Sequence, residues 1–416
     1  MDMTGFAALA ATVGLIALRM PVALALMLAG GVGLALSGTR QQAWDQVAAL
    51  LAAPDLMAVP LVLLLGNLAF YAGYSTQVHD AAAVLLQNRR GGLAVAAILG
   101  CAGFAAASGS SVACAATMSR IAVPGMAQAG YDPRLAGASV AMGSTLGALL
   151  PPSMLLILWA LLTGTPVAAM FLSALLPAAL SLAGMIAVVL WWVRQEPAAA
   201  PVPQPLPVTR GAALQAVWPA PIMFAVLVGG VWSGGLSPAA ALGVCVVLTL
   251  AVSILQHRLA PETLWSALRG MLVQGATILL ILIAARIFLT FLDMTAVPAV
   301  LAQGAETLPR LVAVLVLGLA CAALGLLAEP VAMLVLALPF ALAIGATYGL
   351  TPIWSGIVLI KLVEIALILP PLGLNAVVVA AAIRDIPVRL VNAGLGRFLF
   401  LDLLVLAALV LFPALT

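Results

Sequence analysis

The sequence predicts an all-α polytopic membrane protein, and three observations carry that expectation. Charged residues make up 7% of the 416 positions, hydrophobic residues reach 65%, and long stretches hold no ionisable side chain at all. An ordinary soluble domain carries about 25% charged residues. Sixteen Lys plus Arg and thirteen Asp plus Glu are too few to wet a soluble surface of this size, whereas a lipid-facing helix satisfies its own backbone and needs no wetting. The net charge of +3 comes from scattered arginines without a basic run, which excludes a nucleic-acid patch and a polybasic lipid-binding segment. Lipid is the expected surroundings. Cys101, Cys114, Cys245 and Cys321 lie in apolar stretches without a C-x-x-C pair, and His79 and His257 are far apart, so buried thiols are expected and no metal framework is visible. Asp2 stands where a leader would carry basic residues, which predicts an uncleaved first span.

One span needs about 20 apolar residues. The charge-free stretches run over 3–18, 20–39, 56–78, 91–119, 135–193, 211–256, 270–285, 311–328, 330–360, 365–383 and 403–416, which corresponds to about 11 to 13 membrane elements. Two amphipathic pieces, 41–53 and 77–90, are expected along the interface or under a helix bundle. The proline-rich QEPAAAPVPQPLPV lacks helical periodicity and is expected as a linker, 195–210, between a first half, 1–194, and a second, 211–416.

An internal repeat locates the working parts. The two Pro-Pro doublets, Pro151-Pro152 and Pro370-Pro371, stand 219 residues apart, and the same offset pairs Gly130 with Gly349, Pro133 with Pro352, Gly137 with Gly356 and Val112-Ala113 with Val331-Ala332. Such symmetry is the mark of a duplicated transporter, and copies that each make an odd number of crossings are inverted. Each half then has a hairpin, about 91–124 and about 311–346, and a broken helix, about 135–163 and about 352–383. Proline removes a donor and frees a carbonyl. Such backbone is tolerated at membrane depth only inside protein or beside water, so matching breaks point to a midplane site. The competing reading is a pair of kinks that only shape packing.

Within that frame Ser108, Gly109, Ser110 and Ser111 put hydroxyls and flexible backbone at a helix start, where free N–H groups attract an anion and exposed carbonyls can hold Na⁺. An N-cap with small-residue packing explains them equally well. Gly143, Ser144, Thr145 and Gly147, just before Pro151, carry the same alternatives. In the second half Glu329 and Glu364 lie in apolar sequence, and an intramembrane carboxylate is a functional candidate by default. Asn375, after the second doublet, can donate to a carboxylate or repair the broken backbone. Arg286 is expected to pair with Asp293 or to snorkel. Lys361, the single lysine, precedes Glu364 by three residues and shares its helix face, which makes a static internal ion pair one explanation.

The run GFAAASGSSVACAATMSRIAVPGMAQAGYDPRLAGASVAMGSTLGALLPPSMLLILWALLTGTPVAAMFLSALLP resembles the large membrane subunit of tripartite ATP-independent periplasmic (TRAP) transporters, as do VPLVLLLGNLAFYAG, EPVAMLVLALPFALAIGATYGLTPIWSGI and VEIALILPPLGLN. The resemblance implies two inverted repeats with re-entrant hairpins, forming an elevator-type transport domain within a scaffold, in the bacterial inner membrane. It implies a small four-helix membrane subunit, a periplasmic substrate-binding protein, a small organic-acid substrate and Na⁺ as coupling ion, with no covalent chemistry and no catalytic residue. By the same carry-over Ser108 to Ser111 open the first hairpin, and Pro151, Pro152, Pro370, Pro371, Gly373 and Asn375 belong to the two breaks. Ser110, Ser111, Ser144 and Thr145 are the candidate Na⁺ ligands. Three departures stand out: Ala366 and Leu369 replace a glycine and a threonine of the family's E-x-G-L-I-T-P-P, Pro238 to Ala241 lack its glutamate, and Lys361 is an added cation. Gaining an ammonium while losing an oxygen in one helix suggests that Lys361 substitutes for one bound Na⁺, or that Lys361, Glu329 or Glu364 carries a proton. Two rivals are a stand-alone dicarboxylate or citrate carrier and an intramembrane lipid-acting enzyme. The second needs a nucleophile or metal beside a base, which His79 and His257 do not offer.

Overall fold

The computed structural model describes residues 4–203, 208–371, 373–383 and 386–416. Asp2 and part of the expected linker, 204–207, lie outside the described residues. Among the described residues the regular structure is helical throughout. The first half contains α1 (Thr4–Ala17), α2 (Val22–Ser37), α3 (Arg40–Leu51), α4 (Ala58–Tyr71), α5 (Tyr74–Leu86), α6 (Gly92–Ser108), α7 (Ser111–Gln128), α8 (Pro133–Gly143), α9 (Leu146–Leu149), α10 (Met154–Thr163) and α11 (Val167–Gln195). The second contains α12 (Arg210–Val217), α13 (Pro219–Trp232), α14 (Pro238–Leu255), α15 (Pro261–Asp293), α16 (Val297–Glu306), α17 (Arg310–Gly325), α18 (Pro330–Thr347), α19 (Pro352–Ile368), α20 (Leu374–Ala382) and α21 (Val388–Leu411).

The helices form where Ala- and Leu-rich runs give strong helix propensity, and their ends follow local chemistry. Proline occupies the first turn of α8, α14, α15, α18 and α19, where its missing N–H costs nothing. Ser110, Asp132, Ser237 and Thr351 cap α7, α8, α14 and α19 through their side chains. Seven helical segments among the described residues are long and apolar enough to cross a membrane, eight with the bent α12–α13 pair, and four shorter apolar helices accompany them. The protein is a multi-pass, all-α membrane protein.

Helix boundaries recur at the 219-residue offset. The pair α7 and α18 starts at Ser111 and Pro330 and ends at Gln128 and Thr347, α8 and α19 begin at Pro133 and Pro352, and α10 and α20 end at Thr163 and Ala382. Gly130 and Gly349 both hold positive φ, 77° and 66°, a conformation that glycine adopts without a β-carbon penalty. The copies differ inside the matched helices. The first is interrupted after Gly143, with α9 following, whereas α19 runs unbroken to Ile368. Pro151 and Pro152 are buried, whereas Pro370 and Pro371 are exposed.

Lipid is as apolar as leucine, so helices associate here by close packing at small residues. Gly30 of α2 faces the Phe288 backbone of α15, so close that a β-carbon would come within 2.6 Å of its Cα. Gly394 of α21 meets the Arg134 carbonyl of α8, and Gly356 of α19 lies on the indole of Trp159. That indole donates to the Pro352 carbonyl at 3.1 Å, and the Trp354 indole donates to the Leu409 carbonyl at 3.0 Å. These bonds tie α10 to α19 and α19 to α21.

Two sequence expectations take definite form at this level. Segment 77–90 contributes to α5, which packs on α6 with Gln77 and His79 buried, its small alanines fitting against α6. The proline-rich linker is docked at its start: Ala199 and Ala200 are buried, and the Asp132 amide donates to the Ala199 carbonyl at 2.9 Å. Lack of periodicity forbids a regular helix but not such backbone pairing.

Candidate functional site at the helix breaks

The α6–α7 turn is a tight connection of two residues, Gly109 and Ser110. Gly109 has φ 59°, and its carbonyl accepts from the Met154 amide at 3.4 Å. A β-carbon on Gly109 would stand 2.8 Å from the Pro152 carbonyl oxygen, and one on Gly147 would stand 2.9 Å from the Ser110 carbonyl carbon and the Ser111 nitrogen. The hairpin tip therefore rests on the first break, with backbone against backbone. The Ser110 hydroxyl accepts from the Ala113 amide at 3.3 Å, the Ser108 hydroxyl accepts from the Ser110 amide at 3.4 Å, and the Ser111 hydroxyl donates to the Thr145 carbonyl at 3.4 Å. Both the capping explanation and the proximity to the break are thus real for this motif.

Within the break, the Ser144 and Thr145 hydroxyls donate to the Ala141 and Met142 carbonyls, each at 2.8 Å. Gly143, Ser144, Thr145 and Gly147 are buried, Gly143 against Cys101 of α6. Asn375 reaches this break from the other half. Its amide donates to the Ser144 hydroxyl at 2.9 Å and to the Ala141 carbonyl at 3.4 Å, while its own carbonyl oxygen is buried without a partner. The expected carboxylate partner, and repair of its own break, are both replaced by this link across the repeat. Repair comes from Asn392 of α21, which donates to the Pro371 carbonyl at 3.0 Å. Gly373 folds back so closely that a β-carbon would lie 2.7 Å from the Ile368 carbonyl carbon.

Glu329 precedes α18 at the register position of Ser110 but makes no capping bond and is exposed. Sequence distance from other charges placed it in an apolar run; the end of a helix let it face outward. Arg286 donates to the Leu161 carbonyl at 2.9 Å, so its cation sits on the C-terminal carbonyls of α10, where the helix dipole favours it.

Lys361 and Glu364 form a separate cluster. The Lys361 ammonium donates to Glu364 at 3.0 Å, to Asp402 of α21 at 2.7 Å and to the Ser181 hydroxyl of α11 at 2.9 Å. All four side chains are fully buried. The i, i+3 pair was readable from one helix, but Asp402 and Ser181 were missed. Asp402 did leave a signal, a lone acid in FLFLDLLVL, and Ser181 left none.

The comparison with known families now decides the identity: a family model described as "Tripartite ATP-independent periplasmic transporter, DctM component" matches residues 9–415. The chain belongs to the DctM family. It is similar to the C4-dicarboxylate TRAP transporter large permease protein DctM of Pseudomonas aeruginosa, 31% identical over 332 residues that cover 78% of this chain and 77% of the relative. It is also similar to the sialic acid TRAP transporter large permease protein SiaM of Vibrio cholerae, 25% identical over 364 residues covering 87% and 85%. Among solved structures, the YdaH transporter of Alcanivorax borkumensis superposes with a TM-score of 0.62 at 16% identity, covering 93% of this chain and 96% of that one. At that identity the likeness concerns the fold. DctM-family relatives are named as transporter permeases, and the chain described here is a large permease component of that family.

Proposed function

We propose that this DctM-family chain takes up a small organic anion bearing a carboxylate, driven by a Na⁺ gradient, in the bacterial inner membrane. It works with a small four-helix membrane subunit and a periplasmic substrate-binding protein. The observation that carries this reading is the contact of the α6–α7 tip with the first helix break, joined from the opposite half by Asn375. Such a junction collects helix N-terminal amides suited to a carboxylate and hydroxyl and carbonyl oxygens suited to a hard monovalent cation. Ser110, Ser111, Ser144 and Thr145 are the proposed Na⁺ ligands, since a hydroxyl oxygen has two lone pairs and the hydrogen bonds of these four use at most one each. The recurrence of helix boundaries at 219 residues supports an inverted duplication, 1–194 and 211–416, whose hairpins and broken helices move together as an elevator. The names of the relatives, which include dicarboxylate and sialic acid transporters, support an acidic substrate.

Uptake of a radiolabelled organic acid into proteoliposomes, with and without the cognate binding protein and with Na⁺ or choline outside, tests this. Expected are dependence on both, and rates in Ser110→Ala and Ser111→Ala at least ~10-fold lower at unchanged protein level, the loss equivalent to ~1.4 kcal/mol in the rate-limiting step. Equal rates without binding protein support the stand-alone carrier instead, and wild-type rates in both variants return the serines to packing. Gly147→Ala extends the test, because its β-carbon would strike the Ser110 backbone and is expected to lower uptake by displacing the tip.

A further inference from the structure

The Lys361 cluster holds two carboxyl groups against one ammonium, all fully buried. The ammonium has three N–H donors, and Glu364 Oε2, Asp402 Oδ1 and the Ser181 hydroxyl use all three. The other oxygens, Glu364 Oε1 and Asp402 Oδ2, are buried without a hydrogen-bond partner. With both carboxyls ionised the cluster carries one uncompensated negative charge, and an unpaired buried charge is among the most costly features a protein can hold.

Among the described residues, the helices packed against the cluster do not supply the missing cation. Of the helices packed against α19 and α21, α9, α10, α18 and α20 carry no Lys, Arg or His within their spans. Arg194 of α11 and Arg389 of α21 are exposed. Arg134 of α8 and Arg397 of α21 are engaged with Asp132 and Glu196. On α17, Arg310 reaches the Leu411 carbonyl and Cys321 is a free thiol without positive charge.

We infer that the cluster is a proton-binding site: Glu364 holds one exchangeable proton on Oε1, while Asp402 stays ionised against the Lys361 ammonium. Asp402 keeps the charge because it makes the shorter contact to the ammonium, 2.7 Å against 3.0 Å, and charge-assisted bonds strengthen as they shorten. Glu364 Oε2 still accepts from Lys361 in the acid form. A neutral hydroxyl without a partner costs far less than a bare carboxylate, and a proton needs one oxygen where a metal cation needs several. The site lies between α11, α19 and α21, apart from the α6–α7 tip.

Infrared difference spectroscopy on the purified, lipid-reconstituted chain reads the proton directly through the C=O band of a protonated carboxyl. At neutral pH the wild type should show one such buried group per chain, Glu364→Gln none, and Lys361→Met two, since both carboxyls must then be neutral. Raising the pH on wild type should remove the band with release of one proton, which needs no variant to fold. A wild type without the band, a band unchanged in Glu364→Gln, or a band that vanishes when Na⁺ replaces choline at constant pH would each overturn the assignment. No uptake is measured, so this test and the transport proposal fail independently.

Discussion

Two charge networks meet on α21, about a turn apart, and they differ in nearly every respect that sets the worth of an ion pair. At Arg397 the helix joins a partly exposed set in which Glu196 accepts from Arg397 and Arg134, and Asp132 accepts from Arg134 through both oxygens, Nη2 to Oδ2 at 2.6 Å and Nε to Oδ1 at 3.1 Å. At Asp402 it joins Lys361, Glu364 and Ser181, all without exposure. The first set keeps access to water and ions, so its members are replaceable. The second has exchanged hydration for three hydrogen bonds and leaves two oxygens bare, so each member is tied to the protonation and presence of the others. The number of ion pairs says little about stability; what a removed partner leaves behind says much.

That contrast can be broken most forcefully by removing both carboxyls of the buried set. Glu364→Gln with Asp402→Asn strands the Lys361 ammonium, and the expected loss is about 3–5 kcal/mol in equilibrium unfolding in mixed micelles. The sum of the two single changes should be smaller, because the remaining carboxylate takes over the pairing. Additive losses would show that the two acids act independently. Next in size is Asn375→Leu, which removes a buried link between the repeats and is expected to cost about 1 kcal/mol; Asn392→Leu, at the exposed Pro371 carbonyl, should cost less in the same assay. The smallest effect belongs to Glu196→Gln, which should be indistinguishable from wild type in high salt.

The exposed network also has a defined pH response. Burial opposes ionisation of Asp132, but the hydrogen bonds and charge of Arg134 outweigh it and hold the carboxyl below its ordinary value. The hydrogen bond from Arg397, then that from the Trp192 indole, lowers Glu196 in the same sense. A carboxyl lowered in the fold contributes stability that is present above its unfolded value and lost as pH falls through the folded one. Acid titration of the unfolding midpoint should therefore show a loss below the usual carboxylate range that Glu196→Gln reduces. An acid limb of unchanged size in the variant would sever the network from pH stability.

Much of the fold was legible because it is written locally. Proline at a first turn, a serine or threonine before it and a glycine after an apolar run each act within a few residues, so helix starts at Pro133, Ser111 and Pro352 could be anticipated from their own neighbours. The site was legible in part. Ser111, Thr145 and Gly147 share one run and come together, but Asn375 was given the wrong partners, because its contact with Ser144 spans 231 residues. Glu329 lies in apolar sequence and its side chain is exposed at the start of α18, a direction not legible in sequence because hydropathy averages over a window and cannot say which way one side chain at a helix end points.

By itself, then, the sequence determined the membrane class, the apolar spans and the offset at which boundaries recur, all of which depend on transfer free energy and on backbone chemistry over short range. Only the tertiary structure decided that the lone lysine has three partners, one of them 41 residues ahead and another 180 residues behind. It likewise decided that the first Pro-Pro doublet is enclosed and the second open. Which helix faces meet is set by the packing of small residues across the whole bundle, and a charge between two helices has no signature in either one alone.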